Sequence, residues 1–333
     1  MPSPADEDGS VVVERVAAAL TAYVCGDALG LPYEGKPATG DGDEEIERPR
    51  AGDRWAAGET SDDTALTLLA ARCLVDAGGE ADAVTFLSRL AALDPVKGAG
   101  PSTRAAVAHF RRFGEVPDDR AGATNGAPMR ALPVGWSTPS TRPELLVART
   151  VELTRATHRS PEALVAACVM AGCASWSVTG PWAAGGSAAA LLDVAVETLE
   201  VAQRLCGAAP GLAALLGEVV EGGWRPPATG VSLDPGETVA AVLHCVRRAD
   251  SLRGGLLAAV RLGGDVDTVA ALVGGLLGAR SSVRQVRVQL PWSARMLLPD
   301  EVEVRRLAAA LVSVRAAAAG SRRVAGRRLR SGW

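Results

Sequence analysis

Aromatic side chains are scarce in this chain of 333 residues, at 4% for Phe, Trp and Tyr together. That scarcity argues against sheet architectures, which draw on aromatic and β-branched residues. No C-x-x-C pair occurs among the cysteines at 25, 73, 168, 173, 206 and 245. A zinc ribbon is thereby excluded, and thiols scattered through apolar segments do not make a disulfide framework. They read as small buried groups in a reducing compartment. No run of 18 apolar residues is present, and the acidic start from Met1 to Ser10 has neither the basic nor the apolar region of a signal peptide. No membrane partner is expected, and the expected location is the cytoplasm. Charge of one sign is missing too: the formal net charge is −3 and the pI about 5.8. No broad basic face for nucleic acid is therefore expected. Of the 35 basic residues only Lys36 and Lys97 are lysine, which reads as base bias in the coding sequence.

What is present is a large apolar fraction, 48%, rich in Ala, Leu and Val, with apolar positions recurring every three and four residues. The pattern predicts helices over 11–23, 64–76, 81–93, 104–113, 143–154, 161–177, 188–205, 211–221, 237–248, 252–261, 268–279 and 301–318. Ser160-Pro161-Glu162 places a capping serine before proline at a first helical position. Asp94-Pro95 and Thr141-Arg142-Pro143 punctuate the gaps, and 31–59, 96–103, 115–141, 222–236 and 289–300 read as loops. The expected fold class is all-α, a compact orthogonal multi-helix bundle forming one domain over 11–318. A disordered start over 1–10 and a disordered basic tail over 319–333, with Arg322 to Arg330, would flank it.

Two acidic motifs stand out: Ser61-Asp62-Asp63-Thr64 and Gly263-Gly264-Asp265-Val266-Asp267-Thr268. Each immediately precedes an apolar helical run. Asp and Ser are preferred helix caps, but one cap needs one such residue. Each of these starts carries two carboxylates beside hydroxyls, and four carboxylates converging without a cation would repel one another. Oxygen-only ligation by Asp and Thr suits Mg²⁺, Mn²⁺ or Ca²⁺ and disfavours zinc. A pair of Mg²⁺ ions is expected, with Mn²⁺ as a substitute, since two ions about 3.5–4 Å apart orient a water and a substrate oxygen together. The D-x-D-x-T of dehalogenase-type phosphatases needs a preceding strand, whereas 252–261 reads as helix. The D-D-x-x-D of helical prenyl synthases fails because position 66 is Leu66.

Three smaller features complete the set. The run Gly26-Asp27-Ala28-Leu29-Gly30 lies three residues beyond the first expected helix and leads to Glu34, which is expected on a loop rim. Gly122-Ala123-Thr124-Asn125-Gly126-Ala127-Pro128-Met129 is either a loop whose exposed N–H groups suit phosphate or a plain turn at Asn125-Gly126. His158 stands between two helices, where a ring meets a ligand, while His109 and His244 fall in amphipathic runs and read as structural.

Taken in order, Gly26-Asp27-x-Leu29-Gly30, Glu34, Ser61-Asp62-Asp63-Thr64, Asn125-Gly126-x-x-Met129-Arg130, Thr157-His158 and Gly263-Gly264-Asp265-x-Asp267-Thr268 resemble the ADP-ribosylglycohydrolases, including those that reactivate dinitrogenase reductase. The resemblance runs from about residue 14 to 297. It implies an all-α domain with a binuclear Mg²⁺ centre that removes ADP-ribose from a protein side chain or a small molecule. By that resemblance Ser61, Asp62 and Asp63 ligate metal from one side and Asp265, Asp267 and Thr268 from the other. Glu34 or Asp63 serves as general acid or base. Gly122, Asn125, Gly126 and Met129 line the diphosphate and ribose, and His158 approaches the ADP moiety. Ser61 stands where the family usually has threonine, and the loop before Asn125 lacks the tyrosine of the serine-linked branch. The linkage stays open among arginine, serine, O-acetyl ester and nucleic-acid ends, and a nucleic acid enters only as an ADP-ribosylated substrate. A monomer is expected. The rival expectation is a catalytically silent ADP-ribose-binding or structural homologue.

Overall fold

A computed structural model describes residues 9–320 apart from 53, 94, 120, 180, 181 and 183–185. The helices in chain order are α1 (Gly9–Gly30), α2 (Asp43–Ile46), α3 (Asp62–Asp76), α4 (Ala83–Leu93), α5 (Pro101–Phe113), α6 (Leu132–Trp136), α7 (Pro143–Thr154) and α8 (Pro161–Ser177). The second half supplies α9 (Ala188–Cys206), α10 (Pro210–Glu221), α11 (Pro235–Arg248), α12 (Leu252–Arg261), α13 (Val266–Leu277), α14 (Val283–Gln289) and α15 (Glu301–Gly320). Short 3-10 turns occupy Leu31–Tyr33, Pro128–Arg130, Gly278–Arg280 and Pro291–Arg295. Among the described residues there is no strand, only isolated bridges that pair Gly264 with Lys36 and with Val231. The all-α expectation is met.

The helix starts follow side-chain chemistry. Ser160 accepts from the Ala163 N–H ahead of Pro161, Asp234 from Glu237 ahead of Pro235, and Ser251 from Gly254. Ser282 and Gln285 form a reciprocal capping box at the start of α14. Each satisfies a backbone donor that the first helical turn leaves free.

Two helices are apolar on every side and therefore central. Every residue of α1 from Val16 to Gly30 is buried, as is every residue of α13. They pack on one another, with α3, α12, α14 and α15 around α1 and α8 and α11 beside α13. By length and composition 9–33 would cross a membrane, yet 67% of its most apolar window is buried inside the molecule, which identifies a core helix. The seam between them is backbone on backbone. A Cβ at Gly26 would overlap the Ala270 carbonyl, one at Gly30 the Asp267 backbone, and one at Gly274 the Ala22 carbonyl.

That seam corrects the expectation that Gly26–Gly30 lies beyond the first helix. Glycine is a poor helix former, but here contact with α13 requires it inside one. The short α2 and α6 arise in stretches expected to be loops, and α14 in a stretch assigned no element before the expected 289–300 loop; five residues, as in α6, are too few to show a period. The unstructured ends also need correction where they are described, because Gly9 and Ser10 begin α1 and Ala319 and Gly320 end α15. Residues 1–8 and 321–333, and Asp94, lie outside the described residues.

The strap from Lys36 to Glu59 lies over α12 and is fastened by ion pairs of Arg253 with Asp43 and Glu47 and of Arg261 with Asp43. These side chains are partly exposed, so water and salt screen the pairs and each adds little. Of the six thiols all are free, five are buried and Cys206 is half-buried.

Gly26→Ala is expected to lower unfolding stability by about 1–3 kcal/mol, because α1 and α13 must part to admit the methyl group. At exposed Gly217 in α10 nothing lies within 4 Å, and Ala there is expected to stabilise by about 0.4–1 kcal/mol. Denaturant titration of both variants checks the contrast.

Candidate metal centre

The first acidic motif is held in place from α1. Asp27, fully buried, accepts from the Ser61 N–H with both oxygens at 3.1 Å, and from the Thr64 N–H at 3.1 Å and the Thr64 hydroxyl at 2.5 Å. The first turn of α3 is thus capped from another helix. Ser61 adds its own cap, its Oγ accepting from the Asp63 N–H at 3.1 Å. Asp62 and Asp63 then occupy the first two helical positions, Asp62 half-buried and Asp63 buried. The Tyr23 hydroxyl donates to the Met129 carbonyl at 2.8 Å and accepts from Thr67 at 3.0 Å, so α1, α3 and the turn at Pro128–Arg130 meet on one phenol.

The second motif is set by a pair of left-handed glycines, Gly263 at φ 73° and Gly264 at φ 80°. Gly264 is clamped between two chain segments, so no side chain fits there. Its N–H donates to the Lys36 carbonyl at 2.8 Å, its carbonyl accepts from Gly35 at 2.8 Å, and Asp265 N–H donates to Val231 at 2.9 Å. Asp265 takes the cap position of α13 without a side-chain capping bond. Glu34 is thereby brought to the motif, and one carboxylate oxygen from each of Glu34, Asp265 and Asp267 lies within 4.8 Å of the others. Asn125 donates to Asp265 Oδ2 and, at 3.0 Å, to Thr238 Oγ1, tying the 122–129 loop to the same centre. Thr268 also hydrogen bonds Asp265.

Burial and mutual repulsion dominate the electrostatics of these carboxylates, with Arg54 opposing them only at Glu34. Burial, then Asp267 and Asp27, push Asp63 well above the usual carboxylate range. Burial, then Asp265 and Glu34, do the same to Asp267. Asp62 is pushed up to about 7 by burial and Asp27. Asp27 rises to about 6 through burial, against the bonds from Thr64 and Ser61, and Glu34, although its side chain reaches solvent, rises through partial desolvation by the groups around it and through Asp265. Asp63 Oδ2 and Asp267 Oδ1, one from each motif, are buried with no hydrogen-bond partner. An oxygen-only donor set with two orphaned, buried carboxylate oxygens fits hard divalent cations, whose charge would reverse these shifts.

The structure therefore brings Glu34, Asp62, Asp63, Asp265 and Asp267 into one neighbourhood, with the Ser61 hydroxyl engaged as a cap and Thr268 turned to Asp265. Gly122, at φ 79°, and Gly126 lie against Thr157 and His158, where a Cβ would clash. Met129 contributes its carbonyl rather than its side chain. His158 is buried at 1% exposure, and both ring nitrogens are taken by protein hydroxyls, Nδ1 by Thr157 at 2.7 Å and Nε2 by Thr124 at 2.9 Å. It meets the loop rather than open space. The rings of His109 and His244 meet those of Phe113 and Trp224 at tilts of 48° and 54°. Beside the start of α3 a cavity of about 390 Å³ is walled by Trp55, Glu59, Ser61 and Lys97, with the Lys97 ammonium 4.3 Å from the Trp55 ring centroid. The sequence shows Asp27 only as part of the Gly26–Gly30 run and assigns it no role; its signal is a lone carboxylate inside an apolar helix.

The profile described as ADP-ribosylglycohydrolase matches residues 8–320. The chain belongs to the ADP-ribosylglycohydrolase family. It is similar, at 25% identity over 340 residues and covering 91% of this chain and 97% of the relative, to a protein of Escherichia coli (strain K12) described as "Uncharacterized protein YegU". A solved structure titled "ADP-ribosylglycohydrolase-related protein complex" superposes with a TM-score of 0.71 at 29% identity, covering 92% of this chain and 99% of that one. ADP-ribosylglycohydrolase membership supports a glycohydrolase-type hydrolase.

The raised carboxylates set a pH dependence. In metal-free protein a carboxyl whose folded pKa is raised stabilises fully below its unfolded value, 3.8 for Asp, and that contribution is lost as pH rises through the folded value. With Asp27 near 6 and Asp62 near 7, chelator-treated protein is expected to melt higher at pH 5.5 than at pH 7.5. Adding Mg²⁺ at pH 7.5 is expected to recover the difference. A melting temperature flat across that range, with no response to Mg²⁺, would remove the uncompensated-cluster account.

Proposed function

We propose that this chain is a Mg²⁺-dependent hydrolase that cleaves the glycosidic bond between ADP-ribose and a modified protein side chain or small-molecule acceptor. One observation carries the reading: Asp63 Oδ2 and Asp267 Oδ1 come from motifs at opposite ends of the chain and are both buried without a partner. Ser61, Asp62 and Asp63 would hold cations from α3, and Asp265, Asp267 and Thr268 from α13. Bound there, two Mg²⁺ or Mn²⁺ ions supply Lewis acidity toward ribose hydroxyls and lower the pKa of a water.

The chain's own groups do the rest. Cleavage at the anomeric carbon develops oxocarbenium character and needs a proton for the leaving group and a water deprotonated nearby. Glu34 is exposed and adjoins Asp265 and Asp267, so its carboxyl can exchange protons with solvent and pass one at the reacting centre. Asp63 is the other candidate for that role, although its deep burial suits holding a cation better than shuttling a proton. Asn125 orients Asp265 through its amide. The 122–126 loop, whose glycines rest on Thr157 and His158, would receive the diphosphate.

Asp62→Ala or Asp267→Ala is expected to abolish Mg²⁺-dependent release of ADP-ribose from a panel of ADP-ribosylated substrates. Full activity in either would sink the metal assignment. Glu34→Gln is expected to keep ADP-ribose affinity while turnover drops about 10²–10⁴-fold. Normal turnover there would move the acid–base role to Asp63.

A further inference from the structure

The cavity of about 390 Å³ beside α3 is of the size that small ligands and single side chains occupy, about 300–1,000 Å³. It shares Ser61 and Thr64 with the first acidic motif, and Leu68, Val96, Leu297 and Leu298 supply its apolar walls. Leu297 is 62% exposed, so that wall faces solvent.

The polar end of the cavity is built from Trp55 and Glu59, and the chain's own turns hold both. Trp55 is buried, and a Cβ at Gly98, which sits in the left-handed region at φ 95°, would come within 3.3 Å of its ring. Glu59 Oε2 accepts from the Ala56 N–H at 2.7 Å, and the Glu59 N–H donates to the Ala56 carbonyl at 3.1 Å. The Leu297 N–H donates to the Gly58 carbonyl at 2.7 Å, which ties the apolar wall to the same turn. An aromatic face and a carboxylate fixed side by side make half of a cage for an organic cation.

The chain fills this cage itself. Lys97 Nζ lies 4.3 Å from the Trp55 ring centroid and donates to Glu59 Oε1 at 2.7 Å and Oε2 at 2.8 Å. Its side chain is 48% exposed, so the ammonium keeps part of its water and gives up little by leaving. A guanidinium suits the same seat better: it is planar, more weakly hydrated, stacks on an indole face, and takes both oxygens of a carboxylate with a fork of donors. Lys97 is one of two lysines among 35 basic residues. The cage therefore holds the weaker competitor.

We propose that Trp55 and Glu59 form a subsite for an unmodified arginine side chain of the acceptor protein, with Lys97 as its displaceable stand-in. The guest guanidinium replaces the Lys97 ammonium between ring and carboxylate, and its methylene stem lies along Leu68 and Leu297. Lys97 swings into water. A carboxylate guest is disfavoured, because Glu59 would meet it with like charge. The docked residue is not the one that carries ADP-ribose, and the subsite rests on the proposed function only in calling the partner an acceptor.

Calorimetric titration with N-acetyl-arginine amide in Mg²⁺ tests the seat. Lys97→Ala is expected to bind the amide about tenfold more tightly than wild type, since it frees a site that its own side chain occupies. Glu59→Gln is expected to bind about tenfold more weakly than wild type, and Trp55→Phe, which keeps a ring, to fall between those two. Amide binding indifferent to Lys97→Ala and Glu59→Gln, or tighter binding of N-acetyl-glutamate amide, overturns the subsite. Turnover of ADP-ribosylated peptides with one arginine placed at successive positions beside the modified residue, against peptides with glutamine there, tests the partner. One register is expected to lower KM about tenfold at unchanged kcat, a preference lost in Glu59→Gln. Equal KM at every register overturns the acceptor contact. Amide binding with the Lys97 and Glu59 dependence, in protein that releases no ADP-ribose from any peptide, overturns the functional reading and leaves the guanidinium seat standing.

Discussion

The close approach of α1 and α13 is the constraint on which the candidate site depends. Glycines at 26, 30 and 274 let the two backbones touch, and this sets how far the first turn of α13 stands from Asp27. Asp27 in turn holds the first turn of α3 through Ser61 and Thr64. One buried helix therefore fixes the mutual position of carboxylates that the sequence separates by just over two hundred residues. Ordering them in a cluster is unfavourable in itself, as their raised pKa values show. The apolar burial along α1 and α13 is what offsets that repulsion.

Much of this architecture is legible from residue patterns, for identifiable reasons. The acidic motifs stand out because paired carboxylates interrupt apolar runs, and the periodic helices from α7 to α12 fall within a few residues of their expected bounds. What escapes are features decided by distant partners. Gly26 to Gly30 look like a break because helix propensity is local, whereas the contact with Ala270 is not. Asp27 gives no hint of its role because its partners lie 34 and 37 residues onward. His158 is visible as a lone histidine between helices, but its engagement at both nitrogens depends on Thr124 and Thr157 meeting in space.

The charges divide into two kinds. Around Asp27, Asp63, Asp265, Asp267 and Arg130 they are buried and close together, so each is felt strongly in a medium of low polarisability. On the outside they pair in exposed bridges such as Arg89 with Asp76, which salt screens and which add little. A near-neutral total of −3 conceals this division.

The fastening of the Lys36–Glu59 strap has a consequence for how such a molecule diversifies. Its ends are anchored beside the centre, Lys36 at Gly264 and Glu59 just ahead of Ser61, while its middle is attached to α12 by partly exposed ion pairs. Exposed residues between those anchors can change with little penalty to the frame beneath, whereas Ile46 is packed into the core. The frame tolerates almost nothing, since its helices meet without room for a methyl group. Evolution of acceptor preference would then run through the strap, leaving the cation-holding turns as a fixed chassis beneath an exchangeable cover.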